Sequence, residues 1–206
     1  LETLQLFSIT FAVAFAGVFP PGIVNMSVVK MSFERSPKDG LFMAIGASLT
    51  VFFQAMLGVI FARYIFRHPE AEGMLLRTGL IVLGILFIYF IIQGNKKKNV
   101  KKIKSVSGWS FLKGLGVSAI NVFPIPFFIV ISTLLKKSPE VEYSLNSIFT
   151  FSLAASLGTF LMLYLYLISF AKLDQKKPHL KYYSNYVMAC LMLILILVTT
   201  IRIYYE

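Results

Sequence analysis

The sequence predicts an all-α integral membrane protein with six transmembrane helices, built as two inverted three-helix repeats. Three observations point there. The 206-residue chain is 57% apolar and only 14% charged. The apolar residues gather in six long stretches. The chain also carries the same kind of proline break once in each half, as Val18-Phe19-Pro20-Pro21-Gly22 and Val122-Phe123-Pro124-Ile125-Pro126.

The stretches run over about Leu4–Val29, Leu41–Ala62, Leu76–Gln93, Gly114–Leu135, Leu145–Ala171 and Tyr182–Ile201. Eighteen or more apolar residues in a row are enough to span a bilayer as a helix. No Asp, Glu, Lys or His falls inside any of them, and Arg77 stands at the edge of the third. The first stretch is too long, and lacks the basic lead-in, to read as a cleavable signal peptide. Nothing remains for a soluble domain, so residues 1–206 are expected to form a single membrane domain. Trp109, Tyr182, Tyr183 and Tyr186 fall at one end of the stretches and Tyr64, Tyr143, Tyr204 and Tyr205 at the other, as in an interfacial aromatic belt.

The net charge of +11 is unevenly placed. Connections one, three and five hold 14 of the 20 Lys and Arg residues, among them Lys30, Arg35, the run Lys96–Lys104, and Lys176. The positive-inside bias puts those loops in the cytoplasm and both termini outside. The run Lys96–Lys104 reads as a topology signal that touches anionic lipid headgroups, and not as a nucleic-acid site. It also marks the linker. The expected organisation is a first repeat over residues 1–95, a basic cytoplasmic linker over 96–108, and a second repeat over 109–206.

Three short matches support the repeat, in the same order along each half. Val18-Phe19-Pro20 matches Val122-Phe123-Pro124, Ser36-Pro37 matches Ser138-Pro139, and Ala47-Ser48-Leu49 matches Ala155-Ser156-Leu157. With three spans per repeat, the second copy inserts upside down. In transporters built this way, matching interrupted spans mark a midplane binding site.

The breaks suggest what could bind. Proline removes an amide hydrogen and collides with the preceding turn, and irregular backbone survives in a membrane only inside protein or against a wet cavity. Each new half-helix is expected to offer free amides at a positive end that suits a carboxylate. The carbonyls before each break suit an ammonium group. Together they match an amino-acid zwitterion. The candidate substrate residues are Pro20, Pro21, Gly22, Asn25, Gln54, Asn121, Pro124 and Pro126. Two simple packing kinks are the plain alternative. Ser152, Ser156 and Thr159 are read as glue between helices.

These features resemble the LysE/RhtB-type amino-acid exporters. Pro21-Gly22 matches the start of that family's Pro-Gly-Pro signature, Asn25 its following polar residue, Gly40 and Gly46 the glycines of its second segment, and Asn121 with Pro124 its fourth-segment Asn and Pro. Ile23 stands where the third signature position is Pro, and Asn121 and Pro124 are not adjacent. The resemblance implies a bacterial inner-membrane secondary transporter that exports small amino acids by gradient-driven alternating access. It leaves lysine and arginine open as substrates, with Tyr89, Tyr164 and Tyr166 as partners for the cation. The coupling ion is not legible, and a homodimer stays open.

Other classes are disfavoured. A divalent-cation exchanger wants buried carboxylates. A thiol-disulfide carrier needs two cysteines, and Cys190 is the single one; it is expected to be a small core residue. A hydrolase needs a base near its nucleophile, but His68 and His179 lie in loops. No cofactor or metal site is expected. A passive channel remains the alternative. Glu34, Asp39, Glu70, Glu72 and Asp174 at the rims are read as solvated loop charges.

Overall fold

The computed structural model describes residues 3–20, 22–68, 109–135 and 144–172, with individual positions within 77–92 and 186–204. Six helices are complete. They are α1 (Thr3–Val18), α2 (Ile23–Glu34), α3 (Pro37–Arg67), α4 (Ser110–Ile120), α5 (Pro124–Leu134) and α6 (Leu145–Lys172). The described positions of the third and sixth apolar stretches are helical as well.

Each boundary follows from local chemistry. α1 stops where Pro20 can no longer donate to the helix, and Phe19 N–H closes the last turn on Ala16 O at 3.1 Å. Gly22 is extended and leads into α2. Pro37 blocks the continuation of α2 but fits the first turn of α3. There Ser36 caps the new helix by accepting the Asp39 N–H at 3.1 Å. Asn121 is likewise extended at the end of α4, and Pro124 opens α5. Ser144 accepts the Ser147 N–H at 3.1 Å at the start of α6.

The first and fourth apolar stretches are therefore bent, by 72° between α1 and α2 and by 67° between α4 and α5. The second and fifth are long rods. Pro37–Ile65 and Leu145–Ser169 are each long and apolar enough to cross a membrane, and each bent pair passes the same test jointly. The described residues thus hold two to four candidate spans.

The rods organise the packing. α3 packs against α2, α4, α5 and α6, and α6 against α1, α2 and α3. Glycines let backbones touch. A Cβ on Gly46 would run into the Phe111 carbonyl of α4, and one on Gly114 would run into the Met43 carbonyl of α3. A Cβ on Gly158 would sit 2.5 Å from Phe11 O of α1. Such small-residue contacts are how membrane helices approach closely without a hydrophobic drive. α3 and α6 meet at Ser48 and Ser156, where Ser156 Oγ donates to Ser48 O at 2.8 Å. The outward faces carry apolar stripes, such as Phe42, Leu49, Phe53 and Ile60 on α3. Cys190, expected in the core, is exposed.

Candidate functional site

Both breaks open onto one cavity of about 350 Å³. Pro20, Gly22 and Asn25 line it from the first break, and Asn121 and Pro124 from the second. Ser118 of α4, Thr159 of α6 and Tyr89 of the third stretch are its other polar lining residues among those described. Among the described lining residues there is no Asp, Glu, Lys, Arg or His.

The carbonyls at the breaks are not left open, contrary to the expectation from sequence. Asn25, only 4% exposed, donates from Nδ2 to Val18 O at 2.6 Å and to Pro20 O at 3.0 Å. The Tyr166 hydroxyl donates to Phe19 O at 2.5 Å. Three successive carbonyls are thus engaged by side chains. At the second break Gln54 does the same from α3, donating to Ser118 O at 3.2 Å and to Asn121 O at 2.9 Å. Val122 O accepts the Ile125 N–H at 3.3 Å. An unmatched carbonyl in an apolar surround is costly, so each break is held by a side-chain amide. Gln54 does not line the cavity; it braces the end of α4 from behind.

The two half-helix starts differ in a second respect. At α2, Gly22 provides no side-chain cap, and the first intrahelical bond is Met26 N–H to Gly22 O at 3.0 Å. The amides of Ile23, Val24 and Asn25 precede that bond and have no intrahelical acceptor. At α5, Pro124 and Pro126 have no N–H to offer. The remaining two first-turn amides are spent, Ile125 on Val122 O and Phe127 on Phe123 O, both at 3.3 Å. Among the described residues, the first-turn amides are bonded at the start of α5 and not at the start of α2. Pro126 is not part of the lining, and Pro21 lies outside the described residues.

Among the described residues, two lining hydroxyls are buried without a hydrogen-bond partner, Ser118 Oγ at 1% exposure and Thr159 Oγ1 at 3%. The half-buried Asn121 amide also makes no side-chain bond among the described residues. The cavity is thus mainly apolar, with a few polar groups awaiting partners, the usual make-up of a small-molecule site.

The sequence profile of the LysE type translocator family matches residues 15–201. The chain belongs to that family. Neither a curated protein nor a solved structure matches it. This LysE type translocator is a multi-pass membrane transporter and not an enzyme.

Two cavity residues of the translocator escaped the sequence reading. Ser118 lies one turn before Asn121, on the same helix face, and that spacing was the available signal. By its spacing Thr159 falls with Ser152 and Ser156, the residues expected to glue helices together. Those two do bond to backbone carbonyls, of Ile148 and Ser48, whereas Thr159 does not. Of the three tyrosines expected as cation partners, Tyr89 lines the cavity, Tyr166 braces the first break, and Tyr164 stacks on Phe160. Asp39 is more than a solvated rim charge. It accepts from Ser110 Oγ of α4 at 2.5 Å and from Ser36 Oγ at 2.7 Å, and pairs with Arg35 at 3.6 Å. Glu34 pairs with Lys30 at 3.5 Å. Glu70, Glu72, Asp174 and the run Lys96–Lys104 lie outside the described residues.

Proposed function

We propose that the protein exports amino acids as a secondary transporter, holding the zwitterion in the cavity between its two broken helices and exposing it alternately to either side. The observation that carries this reading is the shared cavity onto which both breaks open, with no charged side chain among its described lining residues. A neutral zwitterion needs no buried counter-charge, which such a cavity lacks. Export of a cationic amino acid would instead place an unpaired charge there, at high desolvation cost.

Alternating access is supported by a two-fold pattern in the contacts. Ser48 and Ser156, equivalent by the Ala-Ser-Leu match, bond to each other, as residues on a two-fold axis would. The next residue but one repeats the pattern. Thr50 donates to Leu115 O at 3.2 Å, and Gly158, 108 residues after Thr50, lies against Phe11 O, 104 residues before Leu115. Cavity residues pair likewise: Ala14 with Ser118, Gly17 with Asn121, Val18 with Val122, and Pro20 with Pro124. This pattern favours six spans in two inverted repeats, residues 1–95 and 109–206 joined by the basic segment 96–108. In the proposed topology, both termini are outside and loops one, three and five are cytoplasmic, with the lysines of the linker against anionic lipid.

The test is flux of labelled neutral amino acids in proteoliposomes under an imposed proton or ion gradient. Accumulation against the concentration gradient supports the reading. Flux that runs only downhill makes the protein a passive channel.

A further inference from the structure

We infer that the cavity selects zwitterions with an uncharged, apolar side chain, seating the carboxylate at the start of α2 beside Ser118 and Asn121 and the side chain against the Phe123–Phe127–Phe128 cluster at the start of α5. This deepens the proposed function and rests on it. The inference comes from how the two halves of the cavity have diverged at matching positions.

By the offset of 104 residues that relates Pro20 to Pro124, Gly22 corresponds to Pro126, Ile23 to Phe127 and Val24 to Phe128. Among the described residues, one helix start therefore has unbonded first-turn amides and the other has none. The N–H groups of Ile23, Val24 and Asn25 face no intrahelical acceptor, at the positive end of a 12-residue helix. α4, which packs against α2, brings the unpartnered Ser118 hydroxyl and the Asn121 amide to the same cavity. Ser118 Oγ is buried and has no hydrogen-bond partner among the described residues. These groups are the donors a carboxylate seated there would draw on.

The start of α5 cannot bind an anion in that way, because its two prolines carry no hydrogen and its other two amides are spent. What it presents is aromatic. Phe123 and Phe127 lie 5.6 Å apart between ring centroids, and Phe127 and Phe128 lie 5.1 Å apart edge to face. All three line the cavity. Phe127 also closes on α1, where a Cβ at Gly17 would sit 3.0 Å from its ring. No charged group among the described lining residues could meet a lysine, arginine, aspartate or glutamate side chain. Thr159 on α6 also lines the cavity, a buried hydroxyl without a partner among the described residues, placed to accept from the ammonium group.

The test is homoexchange by the full chain in proteoliposomes, each amino acid loaded inside and exchanged against its own labelled form. Leucine, isoleucine and methionine are expected to exchange at least about tenfold faster than lysine, arginine, aspartate or glutamate. Lysine or arginine exchanging as fast as leucine would overturn the inference and leave amino-acid export standing. No exchange of any amino acid would overturn the proposed function as well. Two further readings locate the ligand. Leucinamide, which lacks the carboxylate, is expected to fail as a competitor of leucine in the unmutated protein; equal competition would remove the carboxylate from the start of α2. Phe127→Ala is expected to shift preference toward bulkier phenylalanine by about tenfold, and an unchanged ratio of phenylalanine to leucine would remove the side chain from the aromatic cluster.

Discussion

Asn25 and Asn121 both border the cavity, yet the structure gives them different work, and alanine substitutions should separate them. Asn25→Ala removes two hydrogen bonds, to Val18 O and Pro20 O. Both carbonyls belong to a proline break, and neither accepts a backbone amide among the described residues. A buried carbonyl left unmatched costs about 1–3 kcal/mol, and side-chain hydrogen bonds inside membrane proteins average about 0.6 kcal/mol. Two bonds therefore bracket the loss between about 1 and 6 kcal/mol, with about 3 kcal/mol as the working value, or roughly a hundredfold in the unfolding constant. Asn121→Ala deletes an amide with no side-chain partner among the described residues. It should change stability by less than about 0.5 kcal/mol while raising the half-saturation concentration for transport. Equilibrium unfolding in mixed detergent micelles measures the first quantity, and uptake in vesicles the second. The reasoning is refuted if Asn25→Ala is as stable as the parent, or if Asn121→Ala loses as much stability as Asn25→Ala.

Other predictions concern the scaffold. Gly46→Ala and Gly114→Ala each drive a methyl into the facing backbone carbonyl and should each cost about 1–3 kcal/mol. Their double variant should fall short of the sum, since both open the same interface; unfolding curves of the three variants check this. Gly116→Ala, with no atom within 4 Å of the new Cβ, should be neutral or stabilising by up to about 1 kcal/mol in the same assay. Gln54→Leu should destabilise the end of α4 by removing the bonds to Ser118 O and Asn121 O, seen as faster hydrogen exchange near residue 121 than in the parent. Asp39→Ala and Ser110→Ala remove two ends of one bond, so a double-mutant cycle on stability should show coupling, and strict additivity would dismiss the tie between α3 and α4.

What was legible in the sequence was mostly local. Pro20, Pro37 and Pro124 set helix boundaries within a residue or two, because a missing amide hydrogen acts on its own turn. The fifth stretch, Leu145–Ala171, matches its helix to within one residue, whereas the second, Leu41–Ala62, is shorter than its helix because Pro37–Gly40 and Arg63–Arg67 carry polar and charged residues beyond the apolar core. The roles of the amides were not legible. Gln54 reaches carbonyls 64 and 67 residues away, and no spacing announces that. Asn25 looked like an open ligand group because its partners are carbonyls, which the sequence does not advertise as needing donors. The donor-free start of α5 could have been read in advance, because Pro126 removes a second amide; the helix dipole alone had suggested equal starts. Ser118 and Thr159 gain meaning only from what faces them.

The central claim, that one ligand occupies both breaks at once, is tested most directly by protection from alkylation. Gly22→Cys and Asn121→Cys, each in a Cys190→Ala background, place a reactive thiol on either side of the cavity. The account predicts that leucine slows maleimide labelling at both positions with the same half-saturation concentration. Protection at one position alone, or at clearly different concentrations, would contradict it.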